Sequence, residues 1–203
     1  MISLTHLQFS RIIYKCILKN MGVKLSYGGF AYGNIKPDIN NKDIGCEHFM
    51  EASITNLENY CKQLINESMS KRQFSTSLGV VCHFLSDYFC LYHTGKYKYR
   101  GVFSHTLYET ILHFKFLMLQ LCGGLKNIHK ELPEEDIINT VMNFTSEYAS
   151  ESPSLSRDIK YALNCSVEIC RIIIFCCETD YVNSSIHIVN KEFALSKVNG
   201  GSI

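Results

Sequence analysis

The 203-residue chain has no tryptophan, only three prolines and almost no net charge, with 20 basic residues against 19 acidic ones. So even a balance gives no strong field toward polyanions, and no specific nucleic-acid binding is expected. The longest apolar runs, around residues 116–125 and 172–177, fall well short of the roughly 20 residues needed to cross a bilayer. A secretory leader is also missing from residues 1–20, where Arg11, Lys15 and Lys19 interrupt the apolar positions. The expected location is therefore cytoplasmic, and secreted only if the true start lies upstream with a signal peptide. At 46% hydrophobic and 19% charged, the composition excludes a disordered or collagen-like chain.

Cysteine is what the chain has in excess, at ten residues. None forms a CxxC pair, and Cys16, Cys61, Cys82, Cys170 and Cys177 fall on apolar helical stripes. They read as small core hydrophobes in a reducing compartment, ahead of disulfides or thiolate metal sites. Cys82 and Cys90 flank a histidine-rich segment without joining its pattern.

Helical periodicity dominates. The spacing predicts helices over about residues 4–20, 53–72 and 75–92. A fourth ends at Gly123-Gly124, a fifth opens at Pro133 ahead of Glu134, Glu135 and Asp136, and a last one begins at Ser152-Pro153. The glycine-rich stretch over 27–34 reads as a long loop, and the tail from Asn183 is weakly patterned. With strand signals scarce, the expected fold is an all-α, single-domain helical bundle of five or six helices spanning residues 1–203.

Histidine placement carries the chemistry. His83 and Asp87 are four apart on one predicted helix, so both side chains leave the same face, and His105 and Glu109 repeat that spacing on the next. Paired imidazole and carboxylate groups on adjacent helices are how a bundle builds a metal site in its core, and this donor set suits zinc. A single such pair can equally be an exposed helix pair worth a few tenths of a kcal/mol, on the order of 0.3. His83 and Asp87, however, sit among Val81, Leu85 and Phe89, where an unpaired charge is costly.

The combined pattern is Thr5-His6, Pro37-Asp38, Glu47-His48-Phe49, His83-x3-Asp87-x5-His93 and His105-x3-Glu109. It resembles the zinc-dependent phospholipase C family, whose fold is shared with S1/P1-type nucleases, over the motif-bearing residues 5–109. The resemblance implies that Asp38, His48, His83 and Asp87 hold one zinc. It assigns His93, His105 and Glu109 to a second zinc with room for water and substrate, and His6 with Asp87 to a third. The implied reaction is attack of metal-activated water on the phosphorus of a phosphodiester, releasing an alcohol and a phosphomonoester. Asp38 is the candidate general base as well as a ligand, and Glu109 belongs to the open, catalytic position. The implied partners are a phospholipid or other phosphodiester substrate, with peripheral membrane contact.

The chain departs from the family at the third zinc. Secreted relatives complete that site with a processed N-terminal tryptophan, a residue absent here; either the third site is incomplete, or Met1 substitutes, or the true start lies upstream. Two other functions fit the same residues: an S1/P1-like nuclease or nucleotide phosphodiesterase, and a non-catalytic module stabilised by zinc. His113 reads as a hydrogen-bonded or solvent-facing helix histidine, and His129 and His187 as surface residues. The basic loop around Lys96, Lys98 and Arg100 reads as a solvated turn before it reads as an anion guide.

Overall fold

The computed structural model describes residues 1–21, 23–40, 48–95, 97, 100–123 and 136–198, with side chains described as far as residue 177 except at 18–20. Glu47, Lys96, Lys98, Tyr99, Gly124, His129 and residues 133–135 lie outside this set, as does the side chain of His187. Among the described residues, seven α-helices follow in order: α1 Ser3–Met21, α2 Tyr27–Ile39, α3 Met50–Asn66, α4 Lys71–Tyr88, α5 Val102–Leu121, α6 Ile137–Ser150 and α7 Leu155–Val198. A short 3₁₀ turn, Leu91–His93, follows α4. The chain is all-helical, with no strand among the described residues.

Helix α4 is the central element. It packs against α1, α2, α3 and α7, and it is buried on every side from Leu78 to Tyr88. Its start is fixed by a reciprocal cap in which the Ser70 hydroxyl accepts from the Gln73 N–H while the Gln73 side chain accepts from the Ser70 N–H. That cap stands where the sequence reading ran one predicted helix to residue 72 and began the next at 75.

The loop expected over 27–34 is instead the first part of α2. Its N-terminus is capped by Ser26, whose hydroxyl accepts from the Gly29 N–H. Its glycines serve tertiary packing rather than a turn. A Cβ on Gly33 would lie 2.0 Å from the Thr76 carbonyl oxygen, and one on Gly79 would lie 2.3 Å from the Phe30 carbonyl oxygen. Two glycines facing each other thus let the backbones of α2 and α4 touch. Glycine's poor helix propensity, about 1 kcal/mol against alanine, is overridden by that contact.

Other boundaries differ less. Helix α5 ends at Leu121, and Gly123 adopts a left-handed conformation with φ of 65°. Asp136 caps α6 from outside the helix by accepting the Asn139 N–H, rather than sitting in its acidic first turn. The weakly patterned tail continues α7 as helix to Val198. Of the cysteines expected in the core, Cys61, Cys82 and Cys170 are wholly buried and Cys16 and Cys177 half-buried; Cys90 and Cys165 are wholly buried too, and the nine described cysteines are free thiols.

Candidate metal centre

Six segments deliver imidazole and carboxylate groups to one end of the bundle. Helix α1 brings His6, α2 brings Asp38, and the residue two before α3 is His48. Helix α4 brings His83 and Asp87, the 3₁₀ turn His93, and α5 His105 and Glu109. All eight residues singled out in the sequence converge here.

Asp87 is the hub. It is fully buried, and His6 Nε2 lies 3.2 Å from its Oδ1, while His48 Nδ1 and His83 Nε2 lie 3.0 and 3.4 Å from its Oδ2. Asp38 approaches His83 Nε2 at 3.7 Å and accepts a 2.6 Å hydrogen bond from the Ser3 hydroxyl. The second lobe centres on Glu109, whose Oε1 is 2.9 Å from His93 Nε2 and 2.8 Å from His105 Nε2. The rings are mutually packed: His6 stacks on His83 at 4.0 Å, and His93 meets His105 edge-on at 4.9 Å.

Three sets of donor atoms are close enough to share an ion: His6 with His83 and Asp87, Asp38 with His48 and His83, and Cys90 with His93 and Glu109. Cys90 is the one member that the sequence pattern leaves out. His105 reaches the last set through Glu109.

The polar groups here fit a cation. His6 Nδ1 and Nε2, His83 Nε2 and Asp87 Oδ2 are buried, and none makes an aligned hydrogen bond. Orphaned polar atoms in a dry core cost about 1–3 kcal/mol each unless something binds them. His83 Nδ1 lies 2.8 Å from the Asn34 carbonyl oxygen, which can only accept, so the proton sits on Nδ1 and the Nε2 lone pair faces the carboxylates. His93 is oriented similarly by the His48 carbonyl oxygen, 3.3 Å from its Nδ1. Lone pairs and carboxylate oxygens therefore point at one another, an arrangement that a divalent cation resolves.

A cation does stand at this point in the chain itself. The Met1 amino group donates to Asp87 Oδ1 and lies 3.1 Å from Glu109 Oε1 and 3.4 Å from His93 Nε2. Its effect shows in the electrostatics. Burial opposes ionisation of Asp87, but the Met1 amino group and His93, His6 and His83 outweigh it and hold the carboxyl well below the ordinary range. Glu109 is likewise brought down to about 2, with burial again opposed by the His93 hydrogen bond and the Met1 charge. Burial and the neighbouring His6 keep His83 well below the usual histidine value, in the neutral state that binds metal. The carboxylate of Asp87 pulls His48 up against the effect of burial.

Outside this cluster, His113 is a structural histidine: it is buried, and its Nδ1 pairs with the Thr5 hydroxyl at 3.0 Å. A supporting network missed in the sequence lies behind the second lobe. Asp158, on the first turn of α7, accepts from the Leu91 N–H at 2.8 Å, from Tyr108 at 2.7 Å and from Tyr148 at 2.9 Å. It thereby ties down the turn that carries His93 and the residue beside Glu109. A cavity of about 440 Å³, with walls that include Met50, Tyr88, Tyr97 and Tyr148, opens onto His93.

No helix of the described residues is long and apolar enough to cross a membrane. Neither a curated protein nor a solved structure matches the chain. The family model for zinc dependent phospholipase C matches residues 5–155, so the similarity extends past the motif-bearing segment into α6 and the start of α7. With the histidine and carboxylate donors gathered as this chemistry requires, the chain belongs to the zinc-dependent phospholipase C family.

Proposed function

We propose that the chain is a hydrolase of phosphodiesters of the phospholipase C type, acting on a phospholipid or a related diester. The observation that carries this reading is the set of buried, unpartnered imidazole and carboxylate atoms around Asp87, in a chain of this family. Asp38, His48, His83 and Asp87 hold one zinc, and His93, His105 and Glu109 a second. His6 and Asp87 hold a third, beside the Met1 nitrogen. Bound zinc lowers the pKa of a water toward about 7 and offsets the charge that develops on a phosphodiester.

The protein's own groups divide the remaining work. Asp38 is the carboxylate at this centre with the most solvent access, its side chain about a fifth exposed against about a tenth for Glu109 and none for Asp87. It is the group placed to take a proton as a water oxygen bonds to phosphorus and the bond to the alcohol oxygen breaks. That proton ends on the departing alcohol. Glu109 bridges the His93 and His105 rings through Oε1 and so fixes the geometry of the second lobe. The cavity at His93 gives a diester a place beside that lobe. Val102 and Phe103, both more than four-fifths exposed one turn or less before His105, suit contact with a lipid surface.

Helix α7 packs on α1, α3, α4, α5 and α6, which supports the whole chain being one helical domain. The nine free thiols suit a reducing compartment such as the cytoplasm.

Turnover of a chromogenic phosphocholine diester, a bis-aryl phosphate and single-stranded DNA, measured alongside zinc per chain, tests the reading. Glu109→Gln should abolish diester hydrolysis while leaving helical content in place. A zinc-loaded wild-type protein that turns over none of these substrates would point instead to a structural zinc module, and preference for the DNA would point to a nuclease.

A further inference from the structure

We infer that Cys90 supplies a thiolate donor to the metal position formed by His93 and Glu109. This rests on the metal-centre reading above and adds a ligand of a different chemical class to it. The sulfur, the His93 ring and the Glu109 carboxylate present donor atoms all within 4.8 Å of one another, and all three residues are buried. Donors sharing one tetrahedral zinc, with bonds of about 2.0–2.3 Å, lie on the order of 3.3–3.8 Å apart. The 4.8 Å limit is about 1 Å beyond that spacing.

The backbone holds the pair in register. Cys90 precedes the 3₁₀ turn, its N–H donates to the Asp87 carbonyl at 3.0 Å, and its own carbonyl accepts the His93 N–H at 2.8 Å. Asp87, Cys90 and His93 are thereby locked as three successive steps of one hydrogen-bonded segment, with one carboxylate, one sulfur and one imidazole turned toward the centre.

The other buried cysteines lack this company. Cys82 and Cys170 face each other, sulfur to sulfur at 3.2 Å between α4 and α7, and join no set of metal-competent donors among the described residues. Their burial is that of core side chains. Cys90 is wholly buried like them, but the charges of the Met1 amino group, Glu109, Asp87 and Asp158 act on it; burial and the carboxylates push its thiol up, so it is a bound cation that draws off the proton.

Coordination through sulfur forms one S–metal bond and releases the thiol proton to solvent, so no oxidant or reductant is involved. A thiolate beside His93 and Glu109, with His105 held against Glu109, is a softer donor set than histidine and carboxylate alone, and expansion to five-coordinate keeps a place for water. It favours zinc, cobalt and cadmium over manganese and magnesium at this position.

Cobalt substitution of the full chain reads this out without reference to turnover. Cobalt held by nitrogen and oxygen gives only weak visible bands, whereas a cobalt–thiolate bond adds an intense near-ultraviolet charge-transfer band. The wild-type protein loaded with cobalt is expected to show that band. Cys90→Ser should lose it while keeping the visible bands of the histidine and carboxylate positions. Cys90→Ala serves as a second variant, with helical circular dichroism recorded for both. Bound cobalt without a charge-transfer band in the wild type, or a band that survives in both folded variants, overturns the role of Cys90 and leaves the histidine centre standing. Failure of the wild type to bind cobalt or zinc at all overturns both readings.

Discussion

Asp87 and Asp158 are both wholly buried aspartates, yet their surroundings are opposite in kind. Asp158 is met by donors: a backbone N–H, two tyrosine hydroxyls and the Arg157 guanidinium, whose Nη2 is 3.4 Å away. Arg157 is itself laid over the Tyr148 ring at 3.8 Å and bonded to the Glu151 carbonyl at 2.8 Å. Asp87 has one aligned donor, the Met1 amino group on Oδ1, and is otherwise met by imidazole nitrogens that lack aligned hydrogen bonds to it. A carboxylate whose lone pairs are filled by protein donors is a structural element; one ringed by potential ligands needs an ion to complete it.

The two differ in how they hold a proton. Burial pushes Asp158 up, and its hydrogen bonds and Arg157 recover only part of the shift. Asp87 is held well below the ordinary range by the positive groups around it. A carboxyl raised on folding adds stability on acidification and withdraws it as pH rises above the ordinary carboxylate range; a depressed one adds stability above that range and loses it as pH falls. In zinc-free protein, carboxyl carbon NMR should therefore find Asp158 titrating above Asp87. The reverse order would collapse the distinction.

Metal removal is the strongest way to separate the two sites. Saturating zinc at about 1,000 times its dissociation constant stabilises a folded protein by roughly 4 kcal/mol per site. Chelation should remove that amount in wild type, and Asp87→Asn should forfeit most of it before any chelator is added. Thermal unfolding with and without chelator measures both. If Asp87→Asn responds to chelator as wild type does, Asp87 is no ligand.

Asp158→Asn should behave differently, costing about 3 kcal/mol even in zinc-free protein, because it leaves Arg157 buried without its counter-charge. Through the turn carrying His93 it should also weaken zinc retention at the second lobe by about tenfold or more. Denaturant unfolding and a zinc-chelator competition read these separately, and an effect confined to the zinc-loaded protein would recast Asp158 as part of the centre. The smallest change is expected from Tyr108→Phe, about 1 kcal/mol for one hydrogen bond to Asp158. A loss well beyond that would mean Tyr108 does more than support Asp158.

The same contrast explains what could be read from the sequence. Asp87 was legible because its partner His83 is four residues away on one helix, and because His105 and Glu109 repeat the spacing. Asp158 was not. Its donors Leu91, Tyr108 and Tyr148 come from three other segments, and in the sequence it is one more acidic residue near a helix start, where the helix dipole already accounts for it. Cys90 was set aside because it flanks the histidine-rich segment without joining its pattern, and only the fold brings Glu109 beside it. The loop expected over 27–34 failed for a related reason: local composition records how freely glycine bends, and only the partner helix shows that Gly33 is there for want of a side chain.

That backbone contact has a consequence for the zinc centre. Asn34, whose carbonyl orients His83, directly follows Gly33, and Asp38 lies little more than one helical turn beyond it. Where α2 and α4 meet, no rotamer can widen or narrow the gap, because no side chain separates them. The spacing of Asp38 from His83 is thus gauged by two glycine hydrogen atoms, as rigidly as a spacer machined to size. Substitutions lining the centre can retune its charge and softness, but its width along this edge is set by two residues that never touch an ion.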